Sequence, residues 1–214
     1  METIMGYLTA FGLAGGAGTK AFIPVFLLGL LHHTEYFELA PQFQWIGQPP
    51  VLVVLGVLIV LELWADAHPD VGWVSDLTGY VSKWAAGFIA FAAATGQLDD
   101  SMLKLGASGV LGGTTAAGVH FVRNKIRKPF REMGATVESV GKVASLGEGG
   151  LSAVTSLAAV LTPVLALVIL VGAAGGGLML AYAWNERQKK CVHPDCGKPI
   201  PAGALVCSHC GRDQ

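Results

Sequence analysis

The stretch "GLAGGAGTKAF", residues 12–22, lies in the middle of the first long apolar segment and decides how the chain is interpreted. It combines a full positive charge, Lys20, with four glycines: Gly12, Gly15, Gly16 and Gly18. Glycine weakens a helix, and a charge at membrane depth costs about 2.5–3.5 kcal/mol on insertion scales. The stretch therefore predicts a helix that is either closely packed or interrupted, and a charge that needs a partner.

The composition predicts an integral membrane protein whose first partner is the lipid bilayer. The 214 residues are 52% hydrophobic and only 14% charged, with a mean hydropathy of +0.54. Soluble domains carry about 25% charged residues. The formal net charge of -1 gives no electrostatic footprint for nucleic acid, so none is expected as a partner. The start, "METIMGYLTAFG", has no basic region before the apolar segment, so this segment is expected to be retained.

Apolar segments at about residues 4–31, 50–65, 81–97, 102–122 and 151–184 predict an all-α polytopic fold with five or six helical crossings. A crossing needs about 20 helical residues. The last segment is too long for one crossing, because 34 residues make a rod of about 51 Å against a bilayer core of about 30 Å. It must tilt, project or break, and Pro163 and "GAAGGG" at 172–177 are the expected places for a break.

Two basic runs determine the predicted orientation, because Lys and Arg accumulate on the cytoplasmic side. They are "RNKIRKPFR" at 123–131, taken as a loop, and "NERQKK" at 185–190. Both cannot be cytoplasmic if residues 151–184 cross once. A hairpin at "GAAGGG" or a membrane-inserted stretch within 133–150 would remove the conflict, and both stay open. The prediction is a bacterial inner membrane protein with a cytoplasmic C-terminal tail.

The C-terminal tail carries the strongest local motif. We divide the chain into a helical transmembrane domain at 1–184, a basic juxtamembrane linker at 185–190 and a tail at 191–214. All four cysteines lie in the tail, as a C-x4-C pair and a C-x2-C pair ten residues apart: Cys191, Cys196, Cys207 and Cys210. Two thiolate pairs on turns followed by glycine predict a small zinc ribbon with a structural Zn²⁺ ion.

Two other readings of the tail stay open. His193 and His209 lie inside the cysteine pairs and could replace a sulfur ligand, or the cysteines could form two disulfides in an oxidising compartment. The basic flank favours the reducing cytoplasm, where thiolates remain free for a metal. Four protein ligands leave no open coordination position, which predicts a structural and not a catalytic role for the ion.

Charges at membrane depth predict a polar site. Lys20 is the candidate cation, Glu62 and Asp66 are candidate anions on one helical face, and Asp76 is a further acid. A pair between Lys20 and either Glu62 or Asp66 would neutralise both charges. The alternative is structural: Lys20 extends to an interface while the acids lie at headgroup level.

A second glycine-rich stretch, "GVLGGTTAAGV" at 109–119, aligns without gaps to residues 12–22. The alignment places Gly12, Gly15 and Gly16 on Gly109, Gly112 and Gly113. With two crossings between them, the first and fourth segments are expected to run in opposite directions, as in inverted repeats whose interrupted helices form a site. Close helix packing by small residues explains the same glycines.

Three stretches carry a resemblance to a known family: "GTKAFIPVFLLGLL", "LELWADAHPDVGWVSD" and "LGGTTAAGVHFVRNKIR". From about residue 8 to 184 the chain resembles the bacterial membrane-protein family known as domain of unknown function 4126. In that family an arginine tends to stand at the position of Lys20, and a lysine at that of Ala67. The resemblance implies a multi-span fold and brings no established activity.

Two functions fit these observations. The first is a small transporter or channel for an ion or polar solute, with Lys20, Glu62, Asp66 and Asp76 lining the path. The second is a membrane anchor or scaffold whose cytoplasmic zinc ribbon docks a protein partner. An enzyme is not expected, because the sequence contains no catalytic constellation or nucleotide-binding motif. Abundant small-residue faces are also compatible with a homo-oligomer.

Overall fold

The computed structural model describes residues 2–67, 72–96, 101–134, 138–186, 189–200, 207 and 210–213. Within these residues the chain is almost entirely helical, as the sequence predicts. The elements are α1 (Glu2–Thr19), α2 (Phe22–Leu31), a 3₁₀ helix (Pro41–Gly47), α3 (Pro49–Ala67), α4 (Gly72–Thr95), α5 (Met102–Gly134), α6 (Glu138–Leu161), α7 (Pro163–Glu186), β1 (Lys189–Lys190) and β2 (Pro199–Ile200).

Helix α1 forms the centre of the helical domain and contacts α4, α5, α6 and α7. Its small buried residues let these neighbours approach closely. A Cβ atom placed on Gly12 would lie 2.7 Å from Cβ of Ala159 on α6, and one placed on Gly18 would lie 2.5 Å from the carbonyl oxygen of Ala116 on α5. The glycines of the first stretch are therefore packing positions within a continuous helix.

The chain reverses direction at Lys20 and Ala21, directly after this glycine-rich helix. A Cβ on Gly16 would lie 3.3 Å from Cγ of Pro24, although eight residues of straight helix rise about 12 Å. Helix α2 then runs antiparallel to α3, since Ala21 contacts Glu62 and Gly29 approaches Leu52. The first apolar segment is thus a helical hairpin, whereas the hydropathy pattern predicted one crossing.

Helices α4 and α5 form an antiparallel pair joined by glycines. Gly87 packs on Gly112 and Ala116, Gly109 packs on the ring of Phe88, and Gly113 packs on Trp84. Helix α5 continues without a break through Gly109, Gly112 and Gly113 and extends to Gly134. The predicted interruption at 109–119 is therefore wrong, because these glycines allow close contact between helices and not a reversal of the chain. The predicted loop at 123–131 is also wrong, because these residues continue helix α5.

The expected opposition of the first and fourth segments is also wrong. Phe11 packs edge-on against Phe91, which packs on Gly112, while Gly18 lies beside Ala116 and Val119. The residue numbers of α1 and of α5 increase together along these contacts, so the two helices run in the same direction. The hairpin at Lys20 adds one reversal between them, which removes the basis on which inverted repeats were expected.

Helices α6 and α7 form a second hairpin, with the turn at Thr162. Gly12 contacts both Ala159 on α6 and Ala166 on α7, while one turn further along α1 the contacts are Ser156 and Leu170. The break occurs at Pro163, one of the two places predicted, and α7 runs through 172–177 without interruption. Since α5 and α7 both run parallel to α1, the basic run of α5 and the C-terminal end of α7, which the run at 185–190 follows in the sequence, lie at the same end of the helical domain.

Among the described residues, three helices are long and apolar enough to span a membrane: Pro49–Asp66, Lys142–Leu161 and Pro163–Leu180. The protein is therefore a membrane protein by its helices. The predicted count of five or six crossings is not confirmed, because the other helices are shorter or carry more polar residues. The proposed domain boundaries at 184 and 190 stay a prediction.

The glycine contacts give a direct test of packing. A methyl group at Gly112 would collide with Phe91 and with the backbone of Gly87, whereas one at Gly118 on the same helix would meet no atom within 4 Å. We expect Gly112→Ala to lower the free energy of unfolding by about 1–3 kcal/mol, and Gly118→Ala to leave it unchanged or raise it. Thermal unfolding of both variants in detergent measures the difference, and equal melting temperatures would contradict the α4–α5 contact.

Candidate functional site

Lys20, at the reversal between α1 and α2, is completely buried. Its Nζ atom lies 2.6 Å from Oδ2 of Asp66 on α3 and donates a second hydrogen bond, of 3.1 Å, to Oγ of Ser145 on α6. The Ser145 hydroxyl in turn donates to the carbonyl oxygen of Leu63 at 3.2 Å. Lys20 therefore does not extend to an interface, and the charge that the sequence singled out has an acidic partner.

Asp66 is the centre of a larger arrangement of charges. Its Oδ2 atom accepts a hydrogen bond from Arg123 at 2.5 Å and lies 3.4 Å from Arg127, which also donates to the Asp66 carbonyl oxygen at 2.9 Å. The two arginines stand four residues apart on one face of α5. Both also contact Glu148 on α6, at 2.6 Å and 3.2 Å. One acid of α3 and one of α6 thus enclose the arginine pair.

Glu62 has a different role from the one considered for it. Its carboxylate accepts hydrogen bonds from the backbone N–H groups of Ala21 at 3.0 Å and Phe22 at 3.5 Å. These groups begin helix α2, where N–H groups lack partners within the helix and a negative charge is favourable. Glu62 therefore caps the helix that the reversal creates, and its nearest basic side chain is Lys83 of α4, with 3.6 Å between Nζ and Oε1.

We call the seven charged side chains described in the preceding paragraphs the charged cluster. It joins the α1–α2 reversal to four further helices, and all its side chains are less than one-fifth exposed. Four are basic and three are acidic, an excess of one positive charge among the described side chains. Its members are Lys20, Glu62, Asp66, Lys83, Arg123, Arg127 and Glu148. The side chain of Asp76, the fourth residue expected here, lies outside the described residues.

Sequence reasoning missed Lys83, Arg123, Arg127 and Glu148. The two arginines were assigned to a cytoplasmic loop because they belong to the basic run at 123–131. Their spacing of four residues, matched by the same spacing of Glu62 and Asp66, was the available signal for complementary helix faces. Nothing in the sequence pattern distinguished Glu148, in "SLGEGGLS", from an exposed acid.

The cysteines of the tail meet in one place. The four sulfur atoms all lie within 4.8 Å of one another, with Cys191 to Cys210 and Cys196 to Cys207 at 3.8 Å. A tetrahedral site with metal–sulfur bonds of about 2.3 Å has sulfur–sulfur edges of about 3.8 Å. The donor set and its spacing fit a four-coordinate metal ion.

Two short turns position these sulfurs. Gly197 and Gly211, each directly after the second cysteine of a pair, have φ values of 51° and 68°, which side chains rarely adopt. The amides of Cys196 and Gly197 both donate to the His193 carbonyl, and Gly211 donates to the Cys207 carbonyl. Strands β1 and β2 pair antiparallel and close the first turn. The predicted pair of turns followed by glycine is confirmed.

The structure also bears on the other readings of the tail. All four cysteines are free, and their sulfurs are far beyond the bond length of about 2.05 Å in a disulfide. Nε2 of His193 lies 3.0 Å from the carbonyl oxygen of Asp213, away from the sulfurs, and His209 lies outside the described residues. Arg212 lowers the pKa of Cys210 through a backbone hydrogen bond, but burial and the neighbouring thiols raise it to about 11.

Residues 7–183 match the family model described as Domain of unknown function (DUF4126). The chain belongs to this family. The match ends before the tail, so the four-cysteine cluster lies outside the part of the chain that defines the DUF4126 family. Comparisons with curated proteins and with solved structures gave no match. The family description carries no activity, and the functional argument therefore depends on the geometry of the site.

Proposed function

We propose that the protein transports a small ion or polar solute across the membrane and that the charged cluster is its binding site. The observation that supports this most directly is the burial of Lys20 against Asp66 at a reversal between two helices. The reversal places the N–H groups that begin α2, which Glu62 caps, beside the charged groups of four other helices. Transporters use such interrupted segments to bind solutes.

Stability alone gives a weak reason for such a cluster. Buried ion pairs lose so much hydration that apolar residues of the same size often stabilise a protein equally well or better. In a chain with only 14% charged residues, the convergence of seven charged side chains is costly. Ionisable residues in membrane proteins commonly mark ion pathways or solute sites, which favours a functional role.

The position of the cluster supports an opening on one side of the membrane. Asp66 is the last residue of the apolar span of α3, so the cluster lies toward the end of the helices at which α5 carries its basic run and α7 ends, just before "NERQKK" in the sequence. By the distribution of basic residues this end, and with it the tail, is cytoplasmic. The proposed site is therefore near the cytoplasmic mouth of a path.

A docking role for the tail is the alternative function and has less support. Among its described residues, Val192 is the one large apolar side chain that is exposed. Stable protein interfaces have a core of several buried apolar or aromatic side chains. The tail is better explained as a small metal-stabilised module at the cytoplasmic end.

Transport can be tested in proteoliposomes with a panel of radiolabelled anions, cations and neutral polar solutes. We expect uptake of at least one of them to fall at least tenfold in the double variant Lys20→Met, Asp66→Asn, which removes one positive and one negative charge. Lys20→Arg, which keeps the charge, and Lys125→Gln, an exposed change on α5, should retain uptake. Undiminished uptake in the double variant would contradict this site, and no uptake of any solute would contradict transport.

A further inference from the structure

An open cleft lies at the end of the helical domain opposite to the charged cluster. It has a volume of about 540 Å³ and is formed where α2 ends, the 3₁₀ helix follows and α3 begins. The apolar span of α3 starts at Pro49 and ends at Asp66, so the cleft lies just outside the span, about 26 Å along the helix from the charged cluster. Besides two prolines, it is lined by His32, His33, Gln44, Trp45, Gly47 and Gln48.

The backbone fixes which nitrogen of each imidazole carries the proton. Nδ1 of His32 accepts a hydrogen bond from the N–H group of Leu39 at 3.2 Å, so the proton of the neutral ring is on Nε2. Nε2 of His33 lies 2.8 Å from the carbonyl oxygen of Gly47, which can only accept, so this nitrogen carries the proton and Nδ1 has the lone pair. The two rings thus leave one donor, Nε2–H of His32, and one acceptor, Nδ1 of His33.

Gly47 lies beside both rings. A Cβ atom on it would lie 2.9 Å from Cδ2 of His32, the atom bonded to Nε2, and 3.5 Å from Nε2 of His33. The absent side chain therefore lets the donor edge of His32 lie against the wall of the cleft, with the ring centres of the two histidines 5.7 Å apart.

The lining of the cleft is neutral. No described residue that lines it is a lysine, an arginine or an acid, and residues 21–82 contain neither lysine nor arginine. An anion would lack a cationic partner there, and a cation would lack a carboxylate. Chelation of a metal ion by both imidazoles is disfavoured, because a metal needs a lone pair and only His33 offers one. The cleft therefore fits a neutral ligand.

The lining combines polar groups with an aromatic surface. The amides of Gln44 and Gln48 each provide donors and an acceptor. Trp45 is 46% exposed, so part of its indole surface is available to a ligand. A sugar ring matches both features, because its hydroxyls donate and accept hydrogen bonds while its C–H face packs on an aromatic ring. The volume is within the range of about 300–1,000 Å³ that is usual for small-molecule sites.

We infer that this cleft binds a neutral sugar ring of the hexose class, either as a free sugar or as the headgroup of a glycolipid. The C–H face of the sugar packs on Trp45, while its hydroxyls accept from His32, donate to His33 and bond with the two glutamine amides. The position just outside the span of α3 is the headgroup level of the membrane, which both sources reach. The inference does not depend on the proposed function, because the cleft and the charged cluster share no residue.

Binding can be measured by isothermal titration of the purified full-length protein in a polyoxyethylene detergent, which has no sugar headgroup to compete. A mildly alkaline buffer keeps imidazole groups neutral. The probes are glucose, galactose, mannose and N-acetylglucosamine, with glucuronate and choline at equal ionic strength as charged ligands. We expect saturable binding of at least one sugar, at least tenfold tighter than that of glucuronate or choline.

Two pairs of variants test the lining. Trp45→Ala should weaken sugar binding at least tenfold by removing the aromatic surface, whereas Trp64→Ala, at an exposed tryptophan of α3 outside the cleft, should not. Gln44→Leu should weaken binding about threefold to tenfold through the lost hydrogen bonds, whereas Gln42→Leu, on the same 3₁₀ helix but outside the lining, should not. Both glutamines are exposed, so these variants should melt like the parent protein.

A second titration separates the two sources of the sugar. Mixed micelles containing glucosyl diacylglycerol are compared with micelles containing diacylglycerol alone. Binding of the glucosyl lipid without binding of free sugars would assign the cleft to a lipid-borne sugar, and equal binding of diacylglycerol would overturn the inference in favour of the acyl chains. The inference is also overturned if no sugar binds saturably in either form, if glucuronate or choline binds as tightly, or if Trp45→Ala binds normally.

Discussion

Replacing Asp66 by asparagine should be the most destabilising single change in the helical domain. The substitution keeps the size of the side chain but removes the negative charge that Lys20, Arg123 and Arg127 share. Breaking a buried ion pair by removing one partner costs about 3–5 kcal/mol, because the remaining charge is left buried and uncompensated. We expect Asp66→Asn to lose most of its monodisperse protein in detergent and to melt at a clearly lower temperature than the parent.

Two variants make this expectation specific. Glu35→Gln removes an exposed acid after α2 and should melt like the parent protein. Adding Lys20→Met to Asp66→Asn should recover part of the lost stability, because it removes one of the cations left without a partner. A single variant that melts with the parent, or a double variant less stable than Asp66→Asn, would show that the cluster is not an electrostatically coupled unit.

Removing one cysteine should abolish metal binding by the tail. We propose zinc as the metal, because four thiolates at tetrahedral spacing are a typical structural zinc site. We expect one zinc per chain by elemental analysis and none in Cys207→Ser. Structural zinc in small peptides binds with an apparent free energy of about 10–16 kcal/mol, which is folding energy for the module. Cys207→Ser should therefore make the tail sensitive to protease while the helical domain melts unchanged.

His193→Ala is the matched control, because the imidazole contacts a backbone carbonyl and not the sulfurs. It should retain the metal. Since the ligands bind as thiolates, lowering the pH favours the protonated thiols and should release the ion, and raising the pH should restore it. Loss of zinc from His193→Ala would show a histidine ligand, and full zinc content in Cys207→Ser would contradict the four-cysteine site.

Contacts between residue types that are rare in this chain could be predicted from the sequence. A buried lysine in an apolar segment needs an acid, and Glu62 and Asp66 were the nearest acids on an apolar helix, so the contact of Lys20 with Asp66 could be anticipated. The cysteine cluster could be anticipated as well, because the tail is too short to fold around an apolar core.

The path of the chain could not be read from hydropathy. Helices α1 and α2 are separated by two residues without a polar loop, so a sliding window joins them into one segment. A glycine in a helix is also ambiguous in the sequence, because it permits either close packing or a break in the helix. Which of the two occurs depends on the neighbouring helices. At Gly112, for example, the absent side chain leaves room for Phe91 of α4, and helix α5 continues without a break. The arginines of α5 were misplaced because a basic run near an interface looks the same whether it faces water or a buried acid.

The order in which the clustered charges occur along the chain has a consequence for biosynthesis. A ribosome delivers Lys20 first, then two acids on α3, then Lys83, then the two arginines of α5, and finally Glu148. At each stage the accumulated formal charge of the cluster stays between -1 and +2. Helices α3, α4 and α6 each bring charge opposite to the sum that precedes them, whereas the arginines of α5 follow a sum of zero. Lys20 gains its acidic partner only when α3 is made, so we expect α1, α2 and α3 to insert into the membrane together.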